Sequence, residues 1–208
     1  MYVPTAFERT DPNELFDFIE AYSFGLLVST HAGMPDATHL PFLLDRHASP
    51  HGALVGHMAR ANPQWRDLDG QPVLAIFAGP HAYVSPSWYE SENVVPTWNY
   101  VAVHATGTLR MLDDPEAVIG IVAGMVRTYE ANIPTPWQLD ANSEYTRKLA
   151  GAIVGFRIEI EKLEGKWKLS QNHSVERRAK VAATLESSAS ADAREIARLM
   201  RETFRDGA

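Results

Sequence analysis

Three stretches of the 208-residue chain combine residue types able to hold a planar or charged ligand. Between Phe77 and Tyr100 there are six aromatic residues in 24 positions (Phe77, Tyr83, Trp88, Tyr89, Trp98 and Tyr100), where the chain-wide 10% gives about two. Several fall in the loop-like run YVSPSWYESENVVPTWNY, beside Ser85, Ser87, Thr97 and Asn99. Rings with polar edges make a flat slot for a planar heteroaromatic ligand, although the same rings can equally cap a barrel or fill a subunit contact. In GHMARANPQW, residues 56–65, His57 and Arg60 leave a strand and meet the turn at Asn62-Pro63. A guanidinium beside turn amides suits a phosphate or carboxylate; an arginine at a strand end also simply pairs with an acid. In GKWKLSQN, residues 165–172, strand alternation puts Lys166 and Lys168 on one face and Trp167 and Leu169 on the other. Two ammonium groups on one face attract an anion, or protect an exposed sheet edge.

Other chemistries are excluded or weakly signalled. The chain has no cysteine, which removes disulfides, thiolate nucleophiles, iron–sulfur clusters and cysteine zinc sites. Its eight histidines form no HExxH, and no Gly-x-Ser-x-Gly elbow, GxGxxG or P-loop occurs, so no catalytic or metal-ligating set is expected. Haem needs a single axial histidine, for which His57 or His104 is available. Lys+Arg 19 against Asp+Glu 26 leaves a net charge of −7, with no global attraction to nucleic acid. Arg194, Arg198, Arg201 and Arg205 form one stripe on a C-terminal helix and permit a helix-turn-helix reading. However, residues 173–208 carry only a net +1, the turn lacks glycine, and Arg198 with Glu202 makes an i,i+4 pair suited to a solvated face. With no membrane span and no secretory start, a cytoplasmic location is expected.

The elements that must position these groups read as many short strands with inserted helices. Asp11, Pro12 and Glu14 open a helix to Tyr22. FGLLVST and THLPFLL then form a hairpin, and strands follow at ALVGHM, PVLAIFAG, PTWNYVAV and ATGTLRML. Asp113, Asp114 and Pro115 start a second helix through AVIGIVAGMVRTYE, IPTPW is irregular, and SEYTRKLA is a short helix. AIVGFRIEIEKLEG and KWKLSQN read as two further strands, and VERRAKVAATLE and AREIARLMRETF as two final helices around SSASAD. The pattern predicts an α+β protein, a β-barrel core with inserted and C-terminal helices.

Five ordered motifs, HLP (39–41), GHMARANPQW (56–65), GPHAYVSPSWY (79–89), VPTWNYVAVHATG (95–107) and GKWKLSQN (165–172), resemble the PaiB-type family of FMN-binding negative transcriptional regulators. The resemblance runs from Met1 to about Leu185. It departs at VERRAKVAATL, where Arg177, Lys180 and Thr184 replace an aspartate and two glycines of the family pattern. It implies a Greek-key-like split β-barrel binding FMN over residues 1–172, and a helical extension, residues 173–208, packed on the barrel or on a dimer partner. It further implies a bacterial homodimer with flavin near the subunit boundary, repressing sporulation and protease genes through DNA or a regulatory protein. On this reading Arg60, Lys166 and Lys168 neutralise the cofactor phosphate. Ser85, Ser87 and Asn99 donate hydrogen bonds, Trp88, Trp98 and Tyr100 cover the isoalloxazine, and His57 and Asn62 stand beside Arg60. The alternatives are a small FMN-dependent oxidoreductase, a haem-binding barrel, and an interaction module without cofactor.

Overall fold

The computed structural model describes residues 1–31, 33–90 and 92–204. In chain order the elements are β1 (Glu8–Arg9), α1 (Pro12–Ala21), β2 (Phe24–His31), β3 (Met34–Pro41), β4 (Leu43–Asp45), β5 (Ala53–Ala59), β6 (Pro72–Val84), β7 (Thr97–Leu112), α2 (Pro115–Glu130), α3 (Glu144–Ala150), β8 (Ile153–Lys168), α4 (Val175–Glu186) and α5 (Ala191–Glu202). The eight strands form one antiparallel sheet in the order β3-β2-β6-β7-β8-β5-β4, with β1 on β8. The α+β expectation therefore holds.

Residues cluster into two compact units. The first holds Met1–Leu15, Ala78–Val103 and the chain from Glu164 onward; the second holds Phe16–Phe77 and His104–Leu163. The long strands β6, β7 and β8 each contribute residues to both. In the second unit Phe42 meets Phe77 edge-on at 5.5 Å and Phe156 at 6.1 Å, among the buried Leu27, Leu54, Leu109 and Ile158. In the first, Val84, Val101, Trp167 and Leu169 from the strands are buried, as are Leu185, Ile196 and Met200 from α4 and α5.

Helix boundaries follow the capping residues. Asp114, Ser143, Ser174 and Ser190 each accept a hydrogen bond from a backbone N–H in the first turn of α2, α3, α4 and α5. Several strand boundaries differ from expectation: β3 starts at Met34 and takes in Pro35 and Asp36, THLPFLL divides between β3 and β4, and β6 runs on to Val84. PTWNYVAV and ATGTLRML form the single strand β7, and the separate runs before and after Gly165 form the single strand β8, which stops at Lys168. Glycine marks close approach here, not a turn: a Cβ on Gly107 would lie 2.1 Å from the Glu159 carbonyl oxygen, and one on Gly165 would meet Leu15 Cδ2 at 2.3 Å. Residues 169–172 leave the strand because Ser170 adopts φ +64° and the Gln171 side chain replaces the ladder. Gln171 accepts from Leu169 N–H at 2.7 Å and donates to the Trp167 carbonyl at 2.6 Å.

Candidate functional site: a basic and aromatic sheet face

Alternation along three strands of the first unit separates a buried face from an open one. Ala82, Val84, Asn99, Val101, Trp167 and Leu169 point inward, whereas His81 and Tyr83 of β6 and Trp98 and Tyr100 of β7 sit on the opposite side, Trp98 53% exposed. Tyr83 lies edge-on to Trp98 at 5.9 Å and to Trp88 at 6.4 Å, and the His81 ring is 6.0 Å from Trp98. Trp88 comes from the 3-10 turn Pro86–Tyr89, which Ser85 caps by accepting from Ser87 N–H. The two hydroxyls, Ser85 and Ser87, also bond each other at 2.8 Å. Tyr83 thus belongs to a strand and not to the loop-like run, while Trp98, Asn99 and Tyr100 lie in β7, where the strand expected at PTWNYVAV puts them.

Lys166 and Lys168 of β8 lie on the same side of the sheet as these rings, Lys168 half-buried and Lys166 buried at 7% exposure. Lys166 Nζ lies 5.2 Å from the Tyr100 ring centroid and 5.6 Å from that of Tyr2, and donates to the Tyr2 carbonyl at 3.0 Å. Lys168 Nζ donates to Thr97 Oγ1 and, at 2.7 Å, to the Trp98 carbonyl. Every one of these partners is neutral, and neither lysine has a carboxylate partner among the described residues. Partial burial and then the neighbouring Lys166 charge push the Lys168 pKa down. An ammonium group in a desolvated site gains from an anion, so the two lysines are able to pair with one beside the rings.

Behind that face runs a buried polar chain. Ser170 Oγ donates to Asn99 Oδ1 at 3.1 Å and lies 3.0 Å from the Tyr89 hydroxyl, while Asn99 Nδ2 donates to Met200 Sδ at 3.4 Å. The Asn99 amide, fully buried, thus joins β7 to the end of β8 and to α5. Tyr2, Tyr83, Thr97 and Ser170 were not assigned from the sequence as cofactor-binding residues; Tyr83 and Thr97 stood in the aromatic stretch and Ser170 in its motif, whereas Tyr2 carried no signal.

His57, Arg60 and Asn62 belong to the second unit. Arg60 donates to the carbonyls of Gly151 and Ile153 at 2.8 and 3.0 Å and lies over Trp65 at 5.9 Å. Asn62 caps the 3-10 turn Pro63–Asp67 and donates to Thr38 Oγ1, while buried Gln64 donates to Ser29 Oγ at 2.9 Å. This motif pins its turn to β2 and β3. His57 pairs with Gly155 across β5 and β8, where the missing side chain admits Val118 and Ile121 of α2. Burial lowers the His57 pKa, and its buried Nδ1 has no hydrogen-bond partner.

The C-terminal arginines are engaged within the chain. Arg194 donates to the Ser188 and Ala189 carbonyls, Arg198 pairs with Glu195 and Glu202, and Arg201 with Glu186. Arg205, the fourth of the stripe, lies outside the described residues. Among the described residues, α4 packs along α5.

Residues 1–162 match a family model described as “Putative FMN-binding domain”, and the chain is 38% identical over 208 residues to “Protease synthase and sporulation protein PAI 2” of Bacillus subtilis, covering 99% of each. The chain belongs to the PaiB-type FMN-binding family. Solved structures place this PaiB-type chain in a wider fold group. The FAD and heme binding protein of Mycobacterium smegmatis aligns with TM-score 0.61 at 17% identity, over 85% of this chain and 79% of that one. The flavocytochrome Anf3 of Azotobacter vinelandii aligns with TM-score 0.60 at 13% identity, over 77% and 69%. At such identities the likeness is one of fold, the split barrel anticipated from the motifs.

Proposed function

We propose that this PaiB-type protein holds FMN on the basic and aromatic face of its first unit and acts as an FMN-dependent negative regulator of transcription. The observation that carries the cofactor site is the pair Lys166 and Lys168, placed beside Trp98 and Tyr100 with only neutral partners. A ribityl phosphate supplies the missing negative charge, and the exposed rings of Tyr83 and Trp98 with half-buried Trp88 supply flat apolar surface for an isoalloxazine. Ser85 and Ser87, whose hydroxyls now bond each other, are placed to turn toward polar flavin edges. Asn99 supports the face from behind through Ser170 and Met200. Arg60 and Asn62 hold their own turn together, so the phosphate reading rests on the lysines.

Bound FMN supplies a two-electron redox centre. The protein's part is to bind it, orient it and read its presence. The name of the Bacillus subtilis relative, a protease synthase and sporulation protein, favours regulation over turnover as the role. We place the protein in the bacterial cytoplasm as a homodimer, with the exposed rings near the subunit boundary. Because Arg194, Arg198 and Arg201 are occupied internally and the chain carries −7, regulation runs through a protein partner or weak DNA contact, not through a basic helix in a groove.

A visible-absorbance titration of the full chain with FMN tests the cofactor site. Saturation at one flavin per chain, with the Lys166→Ala, Lys168→Ala double variant weakened about 30-fold, is the expected result. Saturation with equal affinity in wild type and double variant rejects these lysines as the phosphate site.

A further inference from the structure

The second unit contains a cavity of about 560 Å³ formed by α2, α3, the segment Trp137–Asp140 and His57 of β5. Its walls are mainly apolar, from Ile119, Val122, Leu149 and Ile153, and the exposed rings of Trp137 and Tyr145 stand at its rim. Such a volume is that of a small-molecule site. The polar lining groups of α3 are already used: Ser143 Oγ donates to Thr146 Oγ1, which donates to the Asp140 carbonyl. His57 is different. It has no hydrogen-bond partner among the described residues, and because Nδ1 is closed off from the cavity as well as from solvent, Nε2 is the ring nitrogen a ligand can reach. Nε2 offers a ligand one hydrogen bond, as donor or acceptor according to the tautomer.

We propose that this cavity is a binding site for an uncharged aromatic small molecule carrying one hydrogen-bonding group directed at His57. Charge is disfavoured by the apolar walls, since Asp140 is the lone ionised lining side chain and is exposed at the edge, its Oδ1 accepting from Asn142 N–H. Aromatic character is favoured by Trp137 and Tyr145, whose rings give a ligand stacking surface. Gly155, opposite His57, lets Val118 and Ile121 of α2 settle on β8, and Ile119 and Val122 of the same helix line the cavity. None of these residues belongs to the face assigned to FMN, and the proposal does not rest on that assignment.

N-phenyl-1-naphthylamine, a neutral two-ring amine with one N–H that fluoresces in apolar surroundings, is a suitable probe. Titrated into the full-length FMN-saturated protein, it should bind saturably at one site per chain in the micromolar range. His57→Phe keeps the ring volume and should weaken the probe about fivefold to tenfold. Leu149→Lys, at a half-exposed position that carries little of the core, should weaken it more than tenfold while FMN absorbance titrations stay unchanged. The proposal is overturned by an absence of saturable fluorescence, by unchanged probe affinity in Leu149→Lys, or by displacement of the probe as FMN is added. Displacement would hand the cavity to the flavin itself, whereas loss of FMN binding with the probe retained would remove the flavin site and leave this one standing.

Discussion

Lys168 has a depressed pKa because it is partly desolvated and sits beside Lys166. The negative charge of a bound phosphate would outweigh both effects, raising the pKa of Lys168 in the complex above its value in the free protein. The sign of the linkage follows: proton uptake accompanies FMN binding, so affinity is full below the free-state pKa and falls as pH rises through it toward the bound-state value. FMN affinity measured across the alkaline range should therefore decline in wild type, and the decline should flatten in Lys168→Met. Asn99 acts differently. Its fully buried amide serves Ser170 Oγ and Met200 Sδ, so Asn99→Ala should cost about 1–3 kcal/mol of stability by chemical denaturation. Equal stability of that variant would show the buried chain to be dispensable.

At the level of elements, the start of α2 was legible from Asp113, Asp114 and Pro115, whereas Ser190, which caps α5, fell in the polar run SSASAD and the helix was expected only from Ala193. The hairpin of β2 and β3 was legible from alternation and turn residues. Strand continuity through Gly107 and Gly165 was not, since a glycine in sequence cannot say whether it bends the chain or lets another backbone approach. The Lys166 and Lys168 face was readable from the period of two, and so was the inward turn of Trp167. The rings over Lys166 were not, because Tyr2 reaches it from 164 residues away in sequence. Gly107→Ala supplies a direct check on the close approach of β7 to β8. It should destabilise by about 1–3 kcal/mol, because the Glu159 carbonyl is backbone and cannot swing aside. A wild-type melting temperature in that variant would contradict the packing.

For the molecule as a whole, charge limits how repression can work. A protein of net charge −7 whose C-terminal arginines pair with Glu186, Glu195 and Glu202 has few cations to spend on a phosphate backbone. Arginines that touched phosphate would each contribute about one unit to the salt dependence of operator binding. Arg194→Ala with Arg198→Ala is therefore expected to leave that slope within half a unit of wild type, measured by anisotropy over a salt series. A drop of about two units would bring the helix back into contact with DNA.

The account stands most directly on whether the two lysines hold a phosphate. Riboflavin shares the ring of FMN and lacks that group, so the comparison isolates it. Wild-type protein should bind FMN at least tenfold more tightly than riboflavin, and the Lys166→Ala, Lys168→Ala variant should lose that preference while its riboflavin affinity changes less than threefold. An undiminished preference for FMN in the double variant would contradict the account.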